Sequence, residues 1–95
     1  EAAALAKHIG FDGVEIHAVH EGYLLDQFTL SIFNRRTDKY GGDLAGRMTL
    51  PCEIVREVKR YAGEDFPVIL RYSIKSCIKG WRQGGLPGDA AGSRI

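Results

Sequence analysis

The sequence predicts an α/β protein built around a βαβ unit, two parallel strands joined by a crossover helix. Three observations predict it. A short alternating run, "GVEIHA", and a nearly continuous apolar run, "FPVILRYS", supply the strands. Between them Ile54, Val55, Val58, Tyr61 and Ala62 recur at helical spacing, with Glu53, Arg56, Glu57, Lys59 and Arg60 covering the other side. The two richest polar clusters, "HAVHEGY" and Arg71-Tyr72-Ser73, fall at the C-terminal ends of the two strands. That is the edge of a parallel sheet where α/β proteins gather ligands.

Each element follows in order. Residues 1–9 are Ala-rich and helix-favouring, and Gly10 is a natural stop. The strand after it places Val14 and Ile16 on one face. In "GYLLDQFTLSIF", apolar residues 24, 25, 28 and 32 have the spacing of one or two helical turns, with Asp26 and Gln27 capping or bracing them. "NRRTDKYGGD" is polar, ends in Gly-Gly and reads as a loop. The main helix contains Pro51, so it either starts near Thr49 or begins at Asp43 and kinks. Gly63 ends it. The second strand is apolar enough to be buried on both faces of a parallel sheet. From Gly80 onward the sequence is Gly-rich and aperiodic, which reads as loop and tail. A βαβ unit by itself leaves strand edges unpaired and an apolar face open. The order of elements therefore points to a piece of a larger α/β domain, or to assembly as an oligomer.

Composition narrows the classes. The chain has 95 residues, enough for at most one small domain. Its formal net charge is +1, with acids scattered among the bases, which gives no electrostatic case for nucleic acid or an anionic membrane. No apolar run is long enough to span a bilayer. Cys52 and Cys77 match no zinc or iron–sulfur spacing and read as reduced thiols of a cytoplasmic protein.

His17, His20, Glu21 and Tyr23 leave three readings open. His17, His20 and Glu21 are competent zinc ligands, although His-x-x-His-Glu is not the zinc-helix signature and no distant third ligand group stands out. One histidine packing in a core while the other is solvated is the structural alternative. The third reading is a site in which neutral imidazoles donate to a substrate oxygen and Tyr23 gives a proton. Chemistry alone does not choose among them.

A resemblance does. "GFDGVEIHAVHEGYLLDQF" followed by Asn34, Arg36, Asp38, Tyr40, Gly41 and Gly42 in an N-x-R-x-D-x-Y-G-G pattern resembles the FMN-dependent old yellow enzyme family of NADH:flavin oxidoreductases. The resemblance continues through "PCEIVREVKRYAGEDFPVILRYS" and is strongest to the branch of 2-enoate reductases and bile-acid-inducible flavin oxidoreductases. It implies a fragment of a (β/α)8 barrel carrying two strands, the fourth and fifth, with residues 1–83 as the partial domain and 84–95 as loop and tail. It implies FMN, NADH or NADPH as reductant, and a small α,β-unsaturated carbonyl substrate. His17 and His20 then match the pair that hydrogen-bonds the substrate carbonyl, with His17 also near the flavin, and no metal is expected. Tyr23 matches the proton donor to the α-carbon, and Arg71 the strand-end cation that stabilises the reduced flavin. Some members of that branch add FAD and an iron–sulfur cluster beyond the barrel, and nothing in this chain matches those parts.

Two departures stand out. Relatives read "HGAHGY", whereas "HAVHEGY" lengthens the turn before Tyr23 by Glu21. Relatives carry "SLENR" after the Gly-Gly, whereas "DLAGR" keeps Arg47 but puts Ala45 and Gly46 at the polar positions, which predicts a less tightly tied loop. The resemblance implies an FMN-dependent ene-reductase as the parent; the alternative is a truncated α/β fragment with no activity of its own.

Overall fold

The computed structural model describes residues 1–20 and 23–72. Glu21, Ser73, Cys77 and the Gly-rich stretch from Gly80 onward, on which some of the expectations above fall, lie outside the described residues. The element order is α1 (Ala2–His8), β1 (Val14–Ala18), α2 (Leu24–Thr29), α3 (Leu44–Ala62) and β2 (Val68–Tyr72). β1 and β2 pair in parallel, with Val14 opposite Val68 and His17 opposite Arg71. The βαβ unit read from the sequence is therefore present.

Successive strand residues point to opposite faces. Val14, Ile16, Ala18, Val68 and Leu70 are at least half-buried on the helix side, while Glu15, His17, Ile69 and Arg71 stand exposed on the other. This corrects the expectation that β2 is covered on both faces. Ile69 is 59% exposed, because nothing among the described residues lies over that side of the sheet.

α3 packs against α1 and α2 and touches β2. It begins at Asp43, whose side chain accepts from the Gly46 N–H at 2.9 Å, a cap of a kind that contributes about 1 kcal/mol. Of the two starts the sequence allowed, the earlier one is adopted. Pro51 sits inside the helix and is buried, so its missing N–H is offset by apolar packing. Tyr61, expected on the apolar face, is 61% exposed instead. Its ring lies 4.5 Å from the Arg60 guanidinium, and its hydroxyl accepts from Arg60 at 2.8 Å. A tyrosine can satisfy helical periodicity while keeping its polar tip wet. Leu24 departs in the same way, with 62% of its surface exposed at the outer start of α2.

The C-terminal end of α3 is fastened by two lysines. Lys7 from α1 donates to the Ala62 carbonyl, and Lys59 donates to the carbonyls of Glu64 at 2.7 Å and Phe66 at 2.9 Å. Cations there satisfy orphan carbonyls and complement the helix dipole. Phe66 is buried below Lys7, and the next residue starts the sheet when the Val14 N–H bonds the Pro67 carbonyl at 3.0 Å.

Candidate active site at the C-terminal edge of the sheet

His17 and Arg71 come from neighbouring strands at one register position on the exposed face. The Arg71 guanidinium lies 3.7 Å from the Glu15 carboxylate, two residues before His17 on the same face, and both side chains are about half exposed. The motif reading did not single out Glu15. Strand alternation was a usable signal for placing it beside His17, but its reach to Arg71 depends on the strand pairing.

His20 closes the turn after β1 and is the one described non-glycine residue at positive φ, 81°. Holding a side-chain-bearing residue there costs energy, and such residues concentrate in functional turns. The turn brings His20 Nδ1 to 3.1 Å from His17 Nε2, with the ring centroids 4.9 Å apart. Tyr23, the residue that caps α2, stands edge-on to the His17 ring at 5.4 Å between centroids and is 59% exposed. His17, His20 and Tyr23 are thus gathered, and Arg71 flanks His17 across the strand pair.

The contact between the imidazoles constrains what they offer. Two neutral rings carry two N–H groups, and one of these lies between them. In this arrangement the neutral pair presents one outward N–H and one outward lone pair, rather than two donors. It becomes a two-donor clamp when the rings part or when the pair takes up a proton.

Behind this cluster the polar loop is closely tied. Asn34 Nδ2 donates to the carbonyls of Phe28 at 2.6 Å and Tyr40 at 2.8 Å, while its Oδ1 accepts from the Arg36 N–H at 2.9 Å. Arg36 grips Asp38 through two nitrogens and lies over the Phe28 and Tyr40 rings. The hydrogen bond from Arg36 holds the Asp38 carboxyl below its ordinary range, and the same bond raises the guanidinium. Lys39 and the Tyr40 hydroxyl both donate to Glu53 on α3, at 2.9 and 3.0 Å; the Lys39 bond, and then the Tyr40 bond, lower the Glu53 carboxyl. Arg36 and Asp38 brace the loop.

The expected loosening at Ala45 and Gly46 is not what the fold shows. Buried Arg47 donates to the Thr29 carbonyl at 3.0 Å and to the Gly42 carbonyl at 2.7 Å. Gly46 comes so close to the loop that an added Cβ would sit 1.9 Å from the Gly41 carbonyl oxygen. Close backbone approach replaces the polar ties.

Comparison with known proteins identifies the family of the chain. Residues 1–84 match the NADH:flavin oxidoreductase / NADH oxidase family. The chain is 65% identical over 89 residues to a cinnamate reductase of Clostridium sporogenes, covering 94% of this chain and 13% of that protein. It is 46% identical over 80 residues to an NADH oxidase of Thermoanaerobacter brockii, covering 84% and 12%. It is 52% identical over 71 residues to a metal reductase of Desulforamulus reducens, covering 75% and 10%. The chain spans about an eighth of the length of these relatives. It belongs to the NADH:flavin oxidoreductase / NADH oxidase family, the old yellow enzyme family, whose fold is a (β/α)8 barrel.

Proposed function

We propose that residues 1–83 form the fourth and fifth strands, with their loop and helix, of the barrel of an FMN-dependent ene-reductase that works in the cytoplasm. The carrying observation is the gathering of His17, His20 and Tyr23 beside Arg71 on the bare sheet face, at the edge where barrel active sites lie. The residues fit a flavin: a half-exposed cation and an imidazole stand side by side on an open surface with room for a planar ring. FMN, when bound, supplies two-electron chemistry, carrying reducing equivalents from NADH or NADPH to the β-carbon of an α,β-unsaturated carbonyl, acid or thioester.

The protein's part is binding, polarisation and proton delivery. The outward N–H of the His17–His20 pair holds the substrate oxygen where negative charge develops. Partial charge transfer to that oxygen favours a second donor, which the pair provides as its rings part. Tyr23 donates its phenolic proton to the α-carbon, completing addition across the double bond. Arg71 presents positive charge to the flavin, and Glu15 pairs with Arg71 in the resting chain. The cinnamate reductase relative favours an unsaturated acid as substrate.

A second reading rests on the exposed face of the sheet: the 95-residue chain has no activity alone. Two measurements separate the cases. FMN titrated into the chain by itself is expected to show no saturable binding. Residues 1–84 exchanged for the matching segment of the Clostridium cinnamate reductase are expected to give a flavoprotein that reduces cinnamate with NADH. Tyr23→Phe and a His17→Ala/His20→Ala pair in that chimaera should each lower turnover by about a hundredfold, in the range of general-acid and oxyanion-donor losses. A chimaera that binds FMN yet is indifferent to all three changes would refute the site.

A further inference from the structure

We infer that Asn34 and Arg47 are positioning residues for the proposed proton donor, acting through α2. The inference rests on the reading of Tyr23 given above. α2 has six residues, no side-chain cap at its start, and Tyr23 as its N-cap. A helix this short does not hold its own shape in water, so its direction is set by what grips it. Leu25 and Asp26 are buried along it, and two side chains from other parts of the chain hold its far end. The Phe28 carbonyl receives Asn34 Nδ2 and the Thr29 carbonyl receives Arg47 Nε, one donor from the loop and one from α3. Both donors are buried side chains, and each has a second carbonyl partner, Tyr40 for Asn34 and Gly42 for Arg47. The last carbonyls of α2 are thereby tied to both ends of the Asn34–Gly42 loop. At the near end, the Tyr23 carbonyl accepts from the Gln27 N–H at 3.1 Å, so the residue carrying the phenol moves with the helix.

The lever is short but sufficient. Six residues at the helical rise span about 9 Å, so a tilt of about 10° at the gripped end moves the Tyr23 end by about 1.5 Å. A displacement of about 1 Å in a reacting group costs about a hundredfold in rate. His17 and Arg71 are held by the β1–β2 ladder, whereas Asn34 and Arg47 donate to carbonyls of α2 and of the loop.

The test uses the chimaeric flavoprotein and separates its two half-reactions. Asn34→Ala is expected to slow cinnamate reduction about a hundredfold while NADH reduction of the bound flavin stays within about threefold. Combined with Tyr23→Phe it should add little further loss, because two changes acting through one group are not additive. Amide exchange should quicken over residues 24–29 and stay unchanged over 14–18 and 68–72. Should Asn34→Ala fail to fold, Arg47→Lys, which keeps the charge and one donor, is read by the same rates and the same double mutant. Equal slowing of both half-reactions, or losses that multiply with those of Tyr23→Phe, would overturn the inference and leave Tyr23 standing. A harmless Tyr23→Phe would overturn the proton-donor reading, and this inference with it.

Discussion

The two faces of the same two-stranded sheet differ in almost every respect. One carries Ala18 and the half-buried Val14, Ile16, Val68 and Leu70 under helices; the other carries Glu15, His17, Ile69 and Arg71 in the open. The covered face and the loop behind it are dense with bonds that fix geometry. Among the described residues, the bare face has one long ion pair, a contact between imidazoles and the edge-on packing of Tyr23 against His17. The difference teaches that this chain concentrates its stability on one side of the sheet and its chemistry on the other. Packing constraints decide residue identity on the first side, whereas on the second a substitution is felt mainly in function.

The largest expected break is on the covered side. Phe66→Ala should destabilise the folded chain by about 3–5 kcal/mol, the usual range for emptying a buried aromatic site, read by chemical denaturation. Ile69→Ala on the bare face removes a comparable apolar side chain, yet should cost less than about 0.5 kcal/mol in the chain alone. A large loss at Ile69 would mean that the face is covered in solution, and the contrast between the faces would collapse.

Next comes the seam between loop and helix. Gly46→Ala forces a Cβ against the Gly41 carbonyl oxygen, which must move; about 1–3 kcal/mol of destabilisation is expected, with faster amide exchange in the loop. Unchanged stability would show that the loop relaxes at no cost.

Acid sharpens the same seam. Asp38 and Glu53 have carboxyl groups lowered by their donors, so each contributes stability that is complete above the ordinary carboxylate pKa. That contribution is lost as the pH falls through the depressed value. The chain should weaken on the acid side of the carboxylate range, and Asp38→Asn with Glu53→Gln should flatten that slope. A slope unaltered by both changes would locate the acid sensitivity elsewhere.

The smallest effect lies in a cavity of about 40 Å³ lined by Ala18, Thr29, Met48, Pro51, Leu70 and Tyr72. The Thr29 hydroxyl is buried there without a hydrogen-bond partner among the described residues. Thr29→Val keeps the shape and removes the polar atom, so it should be neutral or stabilising by up to about 1 kcal/mol in denaturant melts. A loss of stability would show that the hydroxyl has found a partner such as a bound water.

The order of elements was legible from local pattern. Ala-rich helix, alternating strand, polar loop, amphipathic helix and apolar strand each have a period or a breaker that identifies them, and Gly10 and Gly63 mark helix ends as expected. The gathering of His17, His20 and Tyr23 was also legible, because they are near neighbours in sequence. Covered and bare sides were not. "FPVILRYS" reads as buried throughout because hydrophobicity reports what a strand is suited to, not what lies over it. Tyr61 satisfied the helical period and still turned to solvent, since a side chain with one polar end fits either place.

What the sequence by itself determined is the set of elements, the chemical groups at the strand ends and the family, since these depend on residue type and short-range spacing. Tertiary structure alone decided that Glu15 reaches Arg71, that Arg47 and Asn34 hold the end of α2, and that Gly46 lies against Gly41. Those pairings join residues on different elements, and their distances follow from how the helices and strands pack, which no local period encodes.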